Sequence, residues 1–174
     1  MVNIRQENKN DYKEVFNLIK KAFETEEYSD KKEQFLVERL REANSFIPEL
    51  SLVAEESGVI IGHILITKVK INKELKSFES LALAPVSVLP KEQGKGIGGR
   101  LIKFAHKKAI ELNYKSIVLL GHENYYPKFG YVEAKNFDIS FPFDAPSKNC
   151  MVIELVKDGL KGVSGVVEYP KEFE

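Results

Sequence analysis

One cysteine, no net charge and no long apolar run are the first facts of this sequence, and each closes off a class of function. Cys150 alone cannot form an internal disulfide, which fits a reducing compartment. The 26 basic and 26 acidic side chains cancel, so the chain shows neither the footprint of a nucleic-acid binder nor that of a membrane-surface protein. No stretch approaches the roughly 20 apolar residues of a membrane span, and the polar start from Met1 to Asp11 lacks the apolar heart of a secretion leader. A cytoplasmic location is the expectation, and nothing calls for a metal. What is present suits one domain with a sizeable core: 174 residues, 43% hydrophobic and 30% charged.

The chain is organised around Leu81 to Leu112. An apolar run ends at Leu89-Pro90, Lys91-Glu92-Gln93 follows, and Gly94-Lys95-Gly96-Ile97-Gly98-Gly99 leads into an amphipathic helix. Leu101, Ala105, Ala109 and Leu112 make the helix's apolar stripe. Strand, glycine-rich turn and helix N-terminus together form an anion site, because close-approaching N–H groups and the helix dipole favour negative charge. The dinucleotide fingerprint is present in letters at Gly94, Gly96 and Gly99, but four residues separate it from the strand and no acid ends the next strand at Leu120. A Walker loop fails because no Gly-Lys-Ser/Thr closes the run.

Gln93, Gly96 and Gly98 fit Gln-x-x-Gly-x-Gly instead, and with Val86-Ser87-Val88-Leu89-Pro90 before it the stretch resembles the acetyl-CoA loop of the GNAT N-acetyltransferases. A second match follows at Tyr126 to Tyr131, which resembles the family's Tyr-x-x-x-Gly-Phe/Tyr. The wording of the loop, of Asn124 to Pro127 and of the glycine-bearing tail looks like a branch of bacterial N-acetyltransferases. The resemblance implies an α/β chain of the α+β kind: a central mixed, mostly antiparallel sheet with one splayed parallel pair and helices on both faces. It covers Val2 to Val156, so residues 1–156 read as the acetyltransferase domain and 157–174 as its C-terminal extension, where Val166 to Tyr169 could add an edge strand.

Around this centre the chain predicts a brief strand at Val2 to Arg5 and a helix over Tyr12 to Phe23, with Asp11 and Glu14 at capping-box spacing. A second helix is expected from Ser29-Asp30 to Asn44-Ser45, turning Phe35, Leu36, Leu40 and Ala43 inward. The acidic connection Glu24 to Tyr28 is either exposed or an attractor for a cationic amine. Leu50 to Glu55 and Val59 to Ile71 form a hairpin about Glu56-Ser57-Gly58, with Ile60, Gly62, Ile64 and Ile66 on one face and Ile61, His63, Leu65 and Thr67 on the other. His63 reads as a packed or hydrogen-bonded strand residue and Cys150 as a core thiol. Ser116 to Gly121 is a buried strand parallel to the one before the glycines. Phe137, Ile139, Phe141 and Phe143 alternate, yet Pro142 and Pro146 intervene; a buried strand face and a loop roofing the acceptor pocket stand equally. Met151 to Val156 closes the sheet.

The resemblance further implies acetyl transfer from acetyl-CoA to a primary amine of a small molecule or peptide, by direct attack in a ternary complex. The main chain from Gln93 through Gly94, Lys95, Gly96, Ile97 and Gly98 to Gly99 would wrap the coenzyme's diphosphate. The strand at Val86, Ser87 and Val88 would pair with the pantetheine arm and supply oxyanion donors, with Asn124 and Phe129 alongside. Pro85, which has no N–H, suits the irregularity that parts the strands. Tyr126 is the general-acid candidate for the departing thiolate. The family's usual strand glutamate is replaced by Ala82, which leaves Glu79, His122 or water as base. A non-catalytic acyl-CoA-binding sensory domain is the competing reading. The acceptor is not named by the sequence, and a homodimer through the tail is open.

Overall fold

The structure, a computed structural model, describes all residues from Met1 to Glu174. Its strands are β1 (Asn3–Gln6), β2 (Ser51–Glu56), β3 (Val59–Lys73), β4 (Lys76–Val88), β5 (Ser116–Leu120), β6 (Val132–Glu133), β7 (Ile139–Ser140), β8 (Cys150–Glu154) and β9 (Gly165–Glu168). The helices are α1 (Tyr12–Phe23), α2 (Glu33–Arg41) and α3 (Ile97–Glu111). The sheet runs β1-β2-β3-β4-β5-β8-β6, with β9 on the free stretch of β3 and β7 beyond it. It is mixed: β4–β5 and β7–β9 are parallel, and the other pairs are antiparallel.

Each helix is explained by its apolar spacing. Val15, Leu18, Ile19 and Ala22 bury one face of α1 against Val53, Ile60 and Leu65 of the sheet and Val37 and Leu40 of α2. On the other face Ile97, Leu101, Ile102, Ala105 and Ala109 of α3 pack on Leu52, Ile64, Leu81 and Ile117. Leu112, expected in that stripe, is only half-buried because α3 stops at Glu111. No helix is long and apolar enough to cross a membrane.

Several expectations are corrected. The capping box lies one turn earlier than expected: Asn8 accepts from Asn10 N–H at 2.9 Å, and Asp11 accepts from Asn8 N–H at 2.8 Å. Asp11 meanwhile holds Arg5 through two bonds of 2.8 and 3.0 Å, and Glu14 accepts the Ile60 N–H at 2.8 Å. α2 starts at Glu33 rather than Asp30, because Ser29 and Asp30 capture the N–H groups of Lys31 and Lys32, each at 2.9 Å, while Lys31 takes φ 64°. Val37 and Leu40 then point inward, and Phe35 lies on the surface against Phe16, ring centroids 5.4 Å apart.

In β3 a register shift opposite Ala54-Glu55 sends Ile60 to the α1 side and Ile61 to the α3 side, the reverse of strict alternation. Cys150 is half-buried at the start of β8, not a core thiol. The aromatic run from Phe137 resolves in favour of the loop: only Ile139–Ser140 is strand, and Phe143 is 43% exposed.

Candidate active site

The site begins with a one-residue irregularity. β3 and β4 pair in one register at Ile66↔Leu83 and in another at Ile64↔Val86, so β4 carries an extra residue at Ala84-Pro85. Pro85 has no N–H for a ladder, which is why the bulge falls there. β5 follows β4 only at Leu81↔Ile117 and Ala82↔Val118. Past those pairs the two strands part.

The hydrogen-bond phase of β4 decides what faces the gap. Leu89 N–H donates to Ile61 C=O at 3.0 Å, which makes that pair and Ser87↔His63 the bonded positions of the ladder. Val86 and Val88 therefore turn their main-chain groups away from β3, into the gap. Val88 C=O accepts from Gln93 Nε2 at 3.1 Å, and the N–H groups of Val86 and Val88 face a stretch where β4 has no β5 partner. Ser87 differs from its neighbours. Its main chain belongs to the β3 ladder, and its buried Oγ, on the α1 side, has no partner.

Beside the gap lies the α3 N-terminus. Gly96 takes φ 80° just before the helix, a left-handed turn that a side chain resists. The helix's first main-chain bond is Arg100 N–H to Gly96 C=O, 3.1 Å, so the amides of Ile97, Gly98 and Gly99 are free. With the helix dipole they form an anion site. The nearby cations are already engaged: Lys95 Nζ pairs with Glu92 at 2.8 Å, and Arg100 Nη2 donates to Val2 C=O at 3.0 Å.

An aromatic segment walls the gap on the α3 side. A 3-10 turn over Tyr126–Phe129 follows β5, and Pro127 sits in its first positions, where no N–H is missed. The Tyr126 ring lies against Gly121 and Leu119, edge-on to Tyr125 at 5.0 Å and to Tyr131 at 5.8 Å. Burial raises its phenol well above the ordinary value, with Tyr125 adding to the effect, and the hydroxyl takes no partner in the chain. Such a group stays protonated at neutral pH. Phe129 packs over Gly99, its ring carbons 3.2 Å from where a Cβ would stand. Asn124 is exposed and makes no side-chain bond.

Tyr125, which the sequence did not single out, stands at the same gap. Its hydroxyl stands 2.8 Å from the position a Cβ on Gly98 would take, with Val86 and Val88 methyls 3.8 Å from that same point. Lys128 Nζ covers its ring at 4.5 Å. The signal was a glycine at the first turn of the helix and a pair of adjacent tyrosines, but only the fold brings them together. Glu79 and His122, the base candidates, are both exposed, and neither side chain makes a hydrogen bond or ion pair. Glu79 lies opposite Lys70 in the ladder. No cluster of side chains could hold a metal ion.

Comparison with known proteins gives a consistent picture. The family model described as an acetyltransferase (GNAT) domain matches residues 3–134. The uncharacterized N-acetyltransferase YjhQ of Escherichia coli K12 is 34% identical over 134 residues, 75% of this chain and 74% of its own. A crystal structure of the E. coli GNAT family N-acetyltransferase YhbS in complex with CoA superposes with a TM-score of 0.87 at 29% identity, covering 99% of this chain and 91% of that one. A GNAT family acetyltransferase from Brucella melitensis in complex with acetyl-CoA gives 0.81 at 33% identity, covering 100% and 99%.

Proposed function

The chain belongs to the GNAT acetyltransferase family, and from that premise we propose that it moves the acetyl group of acetyl-CoA to a primary amine of a small molecule or peptide by direct attack in a ternary complex. The observation that carries this reading is the continuity of main-chain donors. The free amides of Ile97, Gly98 and Gly99 and the N–H groups of Val86 and Val88, where β4 has no β5 partner, border one gap, with the Tyr126 phenol at its wall.

When bound, acetyl-CoA supplies a thioester whose acetyl carbon accepts the amine. The main chain from Gln93 to Gly99 grips the diphosphate, and Val86 and Val88 pair with the arm that leads to the thioester. Asn124, Tyr125 and Phe129 line that arm. A main-chain N–H of β4 meets the negative charge that gathers on the thioester oxygen; a prealigned donor of this kind contributes on the order of 3 kcal/mol. Tyr126 donates its proton to the departing sulfur, a role that its buried, protonated phenol suits. The ammonium of the acceptor loses its proton to water, with Glu79 and His122 as the side-chain candidates. The cytoplasm, where Cys150 stays reduced, is the place we assign to this reaction.

Calorimetry with acetyl-CoA, followed by thiol release over a panel of amines, tests the reading. We expect one-to-one binding and turnover of at least one amine. Binding without turnover would identify an acyl-CoA sensor, and no binding would remove the whole assignment.

A further inference from the structure

One side of the gap is closed, and the other opens only at Leu120, beyond the packed Ala82 and Val118. α3 and the Tyr125–Tyr131 segment cover the face of Val86 and Leu119. The opposite face, carrying Ala82, Val118 and Leu120, is crossed by the chain between β6 and β8. β6 pairs with β8, whereas β7 pairs with β9 on the far edge of β3, so the chain crosses the sheet to β7 and returns to reach β8. The return ends at Asn149, whose C=O accepts from Gly121 N–H at 2.9 Å while its Nδ2 donates to Gly121 C=O at 3.0 Å. Gly121 is the residue beneath Tyr126, so the loop is pinned at the mouth of the gap.

This returning loop and the C-terminal segment present a row of rings. Phe141 and Phe143 stand 5.7 Å apart, Phe143 meets Tyr169 at 5.9 Å, and Tyr169 meets Phe173 at 4.9 Å. β9 on β3 and the bond from Arg39 Nε to Glu172 C=O, 3.0 Å, hold Tyr169 and Phe173 in place. Fastening the tail accounts for the rings packed on the core. It does not account for Phe143, 43% exposed, or for Leu120, 51% exposed at the end of β5 and paired with Cys150. Between Phe141 and Pro146 only Asp144 carries a charge.

We propose that this aromatic ridge is the acceptor subsite, and that the acceptor is an amine carried on an aromatic group. The inference rests on the acetyltransferase reading and adds the substrate class. A planar substituent stacks edge or face against tilted rings, and ring faces tolerate the nearby ammonium. A polyamine or aminoglycoside carries several cations and needs several carboxylates, and the returning loop around Phe143 offers one.

Thiol release from acetyl-CoA with 2-phenylethylamine and tyramine, against spermidine and kanamycin, tests it. We expect kcat/KM for the aryl amines to exceed the others by about tenfold or more. Phe143→Ala, and Phe143→Leu as the gentler change, should raise KM for 2-phenylethylamine about fivefold with acetyl-CoA affinity unchanged. A preference for spermidine or kanamycin, or an unaltered KM in both variants, overturns the subsite. If acetyl-CoA binds and no amine is turned over, the transferase reading falls, and the ridge is judged by saturation-transfer NMR with 2-phenylethylamine on the acetyl-CoA complex. A transfer signal that disappears in Phe143→Ala then supports the subsite; a signal that survives there, or none in the parent protein, overturns it.

Discussion

The Tyr126 ring occupies the space that a side chain on Gly121 would need, with ring Cδ2 2.7 Å from the position of a Cβ there. β5 ends at Leu120, so Gly121 is the first residue past the strand, and its bare Cα seats the phenol at the gap. Tyr126→Phe should lower kcat about 100-fold, the scale of a general acid, with acetyl-CoA affinity nearly unchanged. Gly121→Ala should lower kcat as well, although Tyr126 is retained, because the new methyl displaces the ring. Steady-state kinetics beside calorimetry read both. A Gly121→Ala enzyme with full kcat would show that the ring's seat is irrelevant to turnover.

The helix N-terminus gives a second expectation. Gly96 holds φ 80°, and no atom outside its chain neighbours lies within 4 Å of the place a Cβ would take. Space is therefore available, and the obstacle to a side chain is backbone strain alone. Gly96→Val should cost roughly 1–3 kcal/mol of stability and re-aim the first-turn amides. Acetyl-CoA affinity should drop about tenfold or more, as measured by titration calorimetry. Unchanged affinity would place the diphosphate elsewhere.

What the sequence disclosed follows from whether the cause was local. α1 was readable to its bounds because Val15, Ile19 and Ala22 repeat at the helical period. The parting of β4 and β5 was expected from the family resemblance, and Pro85, which has no N–H to give a ladder, marked where β4 turns irregular. α2 was misplaced because Ser29 and Asp30, good capping types, spend their oxygens on a turn instead. The shift that exchanges Ile60 and Ile61 depends on β2 and leaves no mark in β3 itself. The contacts of Tyr125 with Gly98 and of Tyr126 with Gly121 join α3, β5 and a 3-10 turn, so no period or spacing announces them.

Beneath α1 and α2 a buried ionic group predicts the response to acid. Glu7 accepts from Arg41 Nη2 and from Ser51 Oγ, the latter at 2.6 Å, and lies 3.6 Å from His63 Nε2. Arg41 also stands 3.9 Å over the Tyr12 ring. Burial pushes the Glu7 carboxyl up, but His63 and Arg41 together outweigh it and hold the pKa down to about 2 from 4.5. The folded state thus favours the carboxylate more than the unfolded chain does. Its contribution, roughly 3 kcal/mol, is complete above pH 4.5 and is lost as pH falls from there through about 2. Urea denaturation across that window should show the decline. Glu7→Gln should flatten it and lower stability at neutral pH by about 3 kcal/mol or more, since Arg41 is left buried without its partner.

A second, half-buried group acts at milder pH and on the α3 side of the sheet. His106 of α3 and Tyr131, the residue that ends the aromatic segment, share a hydrogen bond of 2.8 Å between Nε2 and the phenol. Burial lowers the imidazole to about 4 from 6.5, so it is neutral at physiological pH, and the Tyr131 hydroxyl donates to Nε2. Burial also raises the Tyr131 phenol, which keeps it a donor. Between pH 6.5 and 4 the unfolded chain binds a proton at this histidine that the folded chain refuses, so stability falls as pH is lowered through that window. The loss precedes that of Glu7, and melting temperature against pH should therefore decline in two stages. His106→Gln cannot take up that proton and should remove the first stage while leaving the second. Because Tyr131 meets Tyr126 at 5.8 Å, the same variant also tests whether the phenol wall depends on this bond. The substituted amide offers its carbonyl oxygen to the Tyr131 hydroxyl, so kcat should stay within about threefold of the parent. A single-stage pH profile in the parent protein would mean that His106 is solvated in solution.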